Sequence, residues 1–506
     1  MSSHTSTAER SELIAPIPAQ RVEVLSKTGK KVQDGDYVIY WMVAHRRTRW
    51  NYSLQHAMYL AQRHNKGLIV LEALRLDYPW ASQRIHRFIA EGMQDNASAI
   101  EGCEVAYYPY IEASLNTGRG LLAALSKRAI AVVTDLFPCF FLPRMQARAA
   151  EVLDAPMHRV DSNGILPLAA SERVYTTAAS FRRHLQKTLR PHLGSWPVAE
   201  PLQHSVRPVA IPDECIERWP PTDLADLDSL LDNLPVDNEV EPVPFRGGAK
   251  SAENQLTDFL SERHGRYHED RNRIDNGAAS GLSPYLHFGH LSAHEFAHRA
   301  LAQCGWSPDL LAEKPNGSRN GWWGLPPHTE SLMDELITWR ELGYVFCHQR
   351  LEDYDQFETL PGWAVETLEN HSSDPRPVTY TLEQLETAST HDPVWNAAQR
   401  QLRQEGRIHN YLRMLWGKKI LEWSPSPQEA LERLIHLNNR WAIDGRNPNS
   451  YSGIFWTLGR FDRAWGPVRP IFGKIRYMSS ESTARKIRLK GYLQRYGEDN
   501  QLPLIR

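Results

Sequence analysis

Residues 391–423 read HDPVWNAAQRQLRQEGRIHNYLRMLWGKKILEW. After a Ser-Pro-Ser-Pro turn, residues 428–456 read QEALERLIHLNNRWAIDGRNPNSYSGIFW. Apolar residues recur at helical spacing, so the stretch predicts successive helices broken by Pro and Gly. Trp416 and Trp423 stand seven residues apart and share a helix face, and Trp395 lies one segment upstream. Taken alone, such a pair reads as core packing. Asn410, Arg413, Asn438 and Asp444 bring hydrogen-bonding and charged groups to the same region. An aromatic ladder beside polar groups suits a large conjugated ligand.

Outward from this stretch, the helical pattern extends back to residue 251 and forward nearly to the end. Helices are expected over 332–348, 382–387, 394–405, 409–422 and 427–438. Residues 306–329, full of Gly, Pro and Asn, read as a loop. The N-terminal part has another rhythm. Short β-forming runs at 37–43 (YVIYWMV), 68–73, 104–108, 131–134 and 158–161 alternate with helical segments at 51–64, 82–100, 120–127 and 143–153. That alternation predicts a doubly wound parallel sheet. No GxGxxG follows the first strand, so an ordinary dinucleotide fingerprint is absent. The predicted organisation is a flexible tail at 1–34, an α/β domain at 35–175, a linker at 176–250 and an all-α domain at 251–498. Within the linker, residues 191–244 are rich in Pro and Asp, with one short helix near 224–234.

Composition sets the bounds. The 506 residues exceed what one ordinary core accommodates. Five cysteines stand far apart with no metal-ligand spacing, which predicts free thiols, a reducing compartment and no structural zinc. The net charge of −2 hides an asymmetry: between Arg440 and Lys490, eleven Lys/Arg face three Asp/Glu. A basic C-terminal region is a local anion-binding surface, and nucleic acid is the obvious candidate. Residues 1–20 are polar, with no secretory apolar core, and no run of about 18 apolar residues offers a membrane span. These features predict a cytoplasmic location.

Three stretches together resemble the photolyase/cryptochrome family: residues 265–292 (GRYHEDRNRIDNGAASGLSPYLHFGHLS), 335–342 (ELITWREL) and the opening stretch, continued by 462–479 (DRAWGPVRPIFGKIRYMS). HDPVWNAAQ, MLWGKKILEW, DGRNPNSY and FGKIRYM are similar to the class II cyclobutane pyrimidine dimer photolyases, as are YWM at 40–42 and VTD at 133–135. The resemblance spans roughly residues 37–496. It implies an α/β N-terminal domain with a doubly wound parallel sheet and an all-α C-terminal domain holding FAD. It also implies light-driven splitting of cyclobutane pyrimidine dimers in UV-damaged DNA by an electron from reduced FAD. That chemistry needs no acid–base triad. DNA binding would associate the protein with the nucleoid, and a monomer is the family's default. A deazaflavin-type antenna chromophore, found in some relatives, is left open.

The same resemblance implies residue roles. Tyr267, Ser280, Leu282 and Ser283 would lie toward the FAD phosphates, near a helix N-terminus. Many relatives carry Thr at the position of Ala279, which removes one hydroxyl here. Asn410, Arg413, Asn438 and Asp444 would surround the flavin ring, Arg413 pairing with Asp444 and Asn438 facing N5. Electrons would run from Trp423 at the surface through Trp395 to Trp416. Ile454 would close the route used by another photolyase subclass. Glu335 and Trp339, spaced i and i+4, would face a flipped pyrimidine dimer, with Trp456 across the pocket and Met414 at its floor. Burial would favour a protonated, hydrogen-bond-donating Glu335. Arg463, Trp465 and Arg476 would meet the DNA.

The alternative is a cryptochrome-type blue-light signalling flavoprotein without repair activity. The intact pocket set of Glu335, Trp339 and Trp456, and an end at Arg506 without a long tail, favour repair. A plain flavin oxidoreductase would need a nicotinamide site, for which no fingerprint is present.

Overall fold

The computed structural model describes residues 12–25, 35–275 and 277–498. Six strands form one sheet: β1 (Val22–Val24), β2 (Tyr37–Trp41), β3 (Gly67–Leu74), β4 (Ala106–Ile111), β5 (Ala129–Asp135) and β6 (Met157–Val160). Their spatial order is β1-β6-β5-β2-β3-β4. All neighbours run parallel except β1, which lies antiparallel on β6 with Val22 opposite Val160. Every residue of β2 is buried, as a central strand covered on both faces requires. The expected strands and helices of this part are all present, and Asn51 and Ser82 cap the helices Tyr52–Arg63 and Gln83–Ile100.

Asp135, at the carboxyl end of β5, shapes the turn after β2. Its carboxylate accepts from the backbone N–H groups of Val43, Ala44 and His45 at 2.8–2.9 Å, and from the Tyr40 hydroxyl at 2.8 Å. One buried charge thereby satisfies three backbone donors that the bend leaves without a strand partner.

Residues 12–25 correct the expected flexible tail. Ile14 is fully buried, Ile17 and Arg21 nearly so, and β1 extends the sheet. Arg21 donates to the carbonyls of Asp161, Gly164 and Ile165. The rest of the expected tail, residues 1–11 and 26–34, lies outside the described residues. Residues 191–244 hold the expected short helix, Leu227–Asp232, and a second one, Asp213–Arg218.

The helical part begins with Ala249–Asp258. Its centre is built from Arg340–Gln349, Pro393–Glu405, Asn410–Trp423, Pro427–Trp441 and Pro448–Thr457. Gly343 marks a close approach: a Cβ there would stand 2.8 Å from the Pro448 carbonyl and 3.0 Å from the Ser452 hydroxyl. The helix that follows Trp339 and the helix carrying Trp456 thus approach closely because no side chain stands between them.

A single side chain staples the two parts. Arg84, 1% exposed, donates to the carbonyls of Glu241, Leu402, Trp441 and Arg403. Arg403 lies in the last turn of one helix and Trp441 ends another, where carbonyls lack an intrahelical partner, while the Leu402 carbonyl also accepts from the Gly406 N–H at 2.9 Å. Arg84→Met should lower the unfolding free energy by about 3 kcal/mol, because several buried acceptors lose their donor at once. The urea midpoint measures it; an unchanged midpoint would show that water replaces the guanidinium.

A second junction depends on pH. Glu386 accepts from Arg440 at 2.9 Å, His436 at 3.2 Å and the Trp441 indole at 3.3 Å, while Arg440 also reaches Asp237 at 3.0 Å. Burial alone would raise this carboxyl, but the hydrogen bonds from His436 and Arg440 outweigh it and bring it to about 2. A carboxyl depressed on folding stabilises fully above its unfolded value and loses that contribution as pH falls through the folded value. Stability should therefore drop between about pH 4.5 and pH 2, by on the order of 1 kcal/mol once solvent screening of this half-buried pair is allowed for. Glu386→Gln should flatten that part of the acid-unfolding curve.

Candidate active site

The helix Asn410–Trp423 carries two members of the ladder, Trp416 and Trp423, and the third, Trp395, lies on Pro393–Glu405. Trp395 and Trp416 stack with their planes 1° apart and centroids at 6.4 Å, and Trp395 meets Trp423 edge-on at 5.4 Å. The Trp395 indole donates to the Trp416 carbonyl at 3.0 Å, and the Trp416 indole to Gln399 at 2.9 Å. Three rings in van der Waals range form a continuous aromatic path. Its outer end differs from expectation. Trp423 is 3% exposed, not at the surface, because Tyr380 and His391 cover it edge-on at 5.2 and 5.5 Å and Lys419 sits over its ring.

Beside the inner end lies the polar group. Arg413 Nη2 is 3.2 Å from Asp444 Oδ1, and the Ser283 hydroxyl donates to Asp444 Oδ2 at 2.5 Å. Burial pushes the Asp444 carboxyl up, but the Arg413 guanidinium and the Ser283 hydroxyl outweigh it, so it lies below the usual carboxylate range. Asn438 is buried, its amide donating to Asn439 at 3.3 Å. Asn410 opens the helix on an exposed position. Around the 279–283 loop, Gln255 donates to the Ser280 carbonyl at 2.7 Å, Gly281 takes a left-handed backbone at φ +73°, and Leu282 is fully buried. The helix that follows, Ser283–His287, has only five residues. Its dipole is short, so hydroxyls rather than a helix terminus must supply most of any anion contact there.

The third component is a π-helical turn, Asp334–Trp339, inserted between Pro327–Met333 and Arg340–Gln349. Such turns widen the helix and re-aim side chains. Glu335 is 36% exposed at the side chain and pairs with Arg271 at 2.8 Å. Burial among surrounding protein raises its carboxyl, and Arg271 opposes that rise. The sequence pattern did not single out Arg271, although it lies inside a quoted stretch. Its guanidinium also sits over the Tyr267 ring at 5.7 Å, and its carbonyl meets His409 Nε2 at 3.1 Å, next to Asn410. Tyr267 is thus placed beside Glu335 and Arg271. Trp339, Met414 and Trp456 are all half-buried, as surfaces facing a ligand space are.

The residues expected at the DNA form a stack. Arg463 lies over Trp465 at 4.1 Å, and Arg476 lies over the same ring at 3.9 Å and over Trp456 at 5.6 Å. Arg476 also makes a two-point pair with Asp462 at 2.7 and 3.0 Å, so much of its hydrogen-bonding capacity is already used.

With this geometry in view, the relatives can be named. The chain is 34% identical over 480 residues to the deoxyribodipyrimidine photo-lyase of Methanothermobacter thermautotrophicus, covering 95% of this chain and 98% of that one. The chain belongs to the photolyase family. The photo-lyase of Arabidopsis thaliana is 32% identical (94% of this chain, 92% of the relative), and that of Potorous tridactylus 32% (92% and 82%). No family model matches. Among solved structures, a bacterial class III photolyase from Agrobacterium tumefaciens aligns with a TM-score of 0.63 at 16% identity, over 91% of this chain and 86% of that one. It shares the photolyase fold, with the six-stranded sheet domain and the helical region. Within that fold, the ionised Asp444 paired with Arg413, the Ser283 hydroxyl and the buried Asn438 amide offer the mixed donors and acceptors that a flavin's polar edge needs. These residues fit FAD. All five cysteines are free, and among the described residues no cluster of His, Cys, Asp or Glu could hold a metal ion. No helix among them is long and apolar enough to cross a membrane.

Proposed function

We propose that this photolyase-family chain is a light-dependent DNA repair lyase, class II-like, that splits cyclobutane pyrimidine dimers in UV-damaged DNA. The carrying observation is the aromatic path Trp423–Trp395–Trp416, two of whose rings share a helix with Arg413, the partner of Asp444, together with the half-buried Glu335, Trp339 and Trp456. Held by Arg413, Asp444 and Asn438, reduced FAD would supply the light-driven one-electron chemistry that opens the dimer. The chain's own residues bind and orient. Arg413 and Asp444 fix the polar edge of the flavin, and Asn438 presents a neutral amide toward N5. Ser280 and Ser283 lie toward the nucleotide portion, and Asn410 stands with Arg413 at the flavin ring. Trp339 and Trp456 pack a flipped dimer by stacking, and Met414 closes the floor. Glu335, moved toward the neutral acid by burial, donates a hydrogen bond to a pyrimidine carbonyl as negative charge reaches the lesion. Filling the pocket excludes water and pushes its carboxyl further the same way. Arg463 and Trp465 face the duplex. In this reading residues 35–175 and 251–498 are the two domains and the protein acts as a monomer.

A cavity of about 530 Å³ at the carboxyl ends of β2, β3 and β4 suits an antenna chromophore of deazaflavin type. Trp41, Tyr78 and Phe140 offer flat walls, and Arg46 and Arg75 offer charge to a polar tail. The carboxyl edge of such a sheet is where ligands of doubly wound folds bind.

The decisive experiment is repair of UV-irradiated oligo(dT) by the reduced protein under near-UV light, with a dark control. Recovery of thymine absorbance in light only supports the proposal. FAD-bound protein without recovery overturns it.

A further inference from the structure

Lys418 is fully buried on the helix Asn410–Trp423, one turn beyond Met414. It has one hydrogen bond, to the Thr457 carbonyl at 2.6 Å, and its Nζ stands over the Trp456 ring at 4.8 Å. Among the described residues no carboxylate lies within ion-pair distance of it. A buried lysine without a carboxylate partner is costly and seldom retained for packing alone. Its neighbour Lys419 behaves ordinarily, pairing with Glu422 at 2.7 Å and reaching Asp392 at 4.0 Å.

The surroundings give Lys418 a direction of action. From the segment after Thr457, two charged groups face it, Asp462 and Arg476. The helix Pro448–Thr457 faces it with the Thr457 carbonyl and the Trp456 ring, and Pro427–Trp441 faces this turn with Leu434. Arg476 approaches the same Trp456 ring at 5.6 Å, and beyond it come Trp465 and the exposed Arg463. The result is a continuous cation–aromatic stack, from a buried ammonium to the surface expected to meet DNA.

We propose that Lys418 is a positioning residue that holds the Trp456 indole in its lesion-facing orientation while protonated and releases it when neutral, making recognition of the damaged site pH-dependent. The proposal rests on the assignment of Trp456 to the lesion pocket. Burial brings the Lys418 amine down to about 7, with Asp462 opposing that fall, so its protonation changes across the neutral range. A neutral amine still donates to the Thr457 carbonyl, and the backbone contact survives. What disappears is the attraction of a cation for the ring face. The charged form exists below the folded value, so the indole is pinned on the acid side.

The test measures affinity for duplex DNA with one cyclobutane thymine dimer, against the same undamaged duplex, using the FAD-loaded full chain. Between about pH 6 and pH 8.5 the preference for damaged DNA should fall about fivefold, a fraction of the roughly 30-fold that a desolvated cation–π contact is worth. Lys418→Met and Lys418→Gln should bind FAD, keep light-driven reduction through the ladder, and show a flat preference at the level wild type reaches at high pH. A flat wild-type profile, or variants that keep the wild-type slope, would overturn the proposal. Loss of FAD in both variants would also overturn it, by showing the side chain to be structural. If wild type prefers damaged DNA at no pH, the lesion-pocket assignment itself fails, an outcome distinct from a pH-independent preference.

Discussion

Trp416→Phe should leave a protein that repairs dimers when chemically reduced beforehand but is no longer reduced by light. In the proposed path Trp416 links the flavin site to the rest of the ladder: its ring lies parallel to Trp395 at 6.4 Å, and its helix places Arg413 one turn away. Phenylalanine fills most of the volume and keeps an apolar surface, but its ring does not give up an electron as an indole does. Gln399 loses the indole N–H it accepts at 2.9 Å, a loss expected to cost about 1 kcal/mol of stability and not the fold. Nearly all photoreduction, followed as bleaching of the flavin band with an external reductant, should therefore vanish. Repair by pre-reduced protein should stay within about twofold of wild type, since an enzyme already reduced does not call on the ladder. If both assays fall together, Trp416 supports the site's structure and the path lies elsewhere.

For Glu335, removal of the carboxyl and conservative replacement should separate. Glu335→Ala should slow repair about 10²-fold with FAD retained, the cost of losing one preorganised donor at developing negative charge. Glu335→Gln should recover most of the rate, because a neutral amide donates as the protonated acid does. The wild-type rate should fall as pH rises and the carboxyl ionises, since burial raises it and Arg271 works against that rise. Glu335→Gln should not show that fall. The measurement is the single-turnover repair rate across pH with saturating lesion. If Glu335→Gln is as slow as Glu335→Ala, the carboxylate acts as an ion partner of Arg271 and not as a donor. Loss of FAD in Glu335→Ala would make the 2.8 Å pair with Arg271 a structural clamp.

Much of the fold was legible because it is local. Runs such as YVIYWMV and LIVLEA, short and rich in β-formers, read as buried strands, and Asn51 and Ser82 sit where helix caps belong. The alternation of strand and helix then dictated a parallel sheet. β1 was missed because three residues carry no periodicity, and its pairing to β6 is made by the partner strand. Ile14 and Ile17 look unremarkable in a polar segment until the sheet covers them. Trp423 was misplaced for a related reason. Spacing says that it shares a face with Trp416, while burial depends on Tyr380, His391 and Lys419 arriving to cover it.

The sequence by itself determined the strands and helices, their order, the family resemblance and the set of side chains available for the chemistry, because those depend on neighbours a few residues away. Tertiary structure alone decided which of them meet. Ser283 reaches Asp444 across 161 positions and Arg271 reaches Glu335 across 64, and no periodicity encodes such a pairing. Burial likewise decided the electrostatics: Lys418, removed from water without a carboxylate partner, is brought down to about 7, while its neighbour Lys419 keeps Glu422 at 2.7 Å.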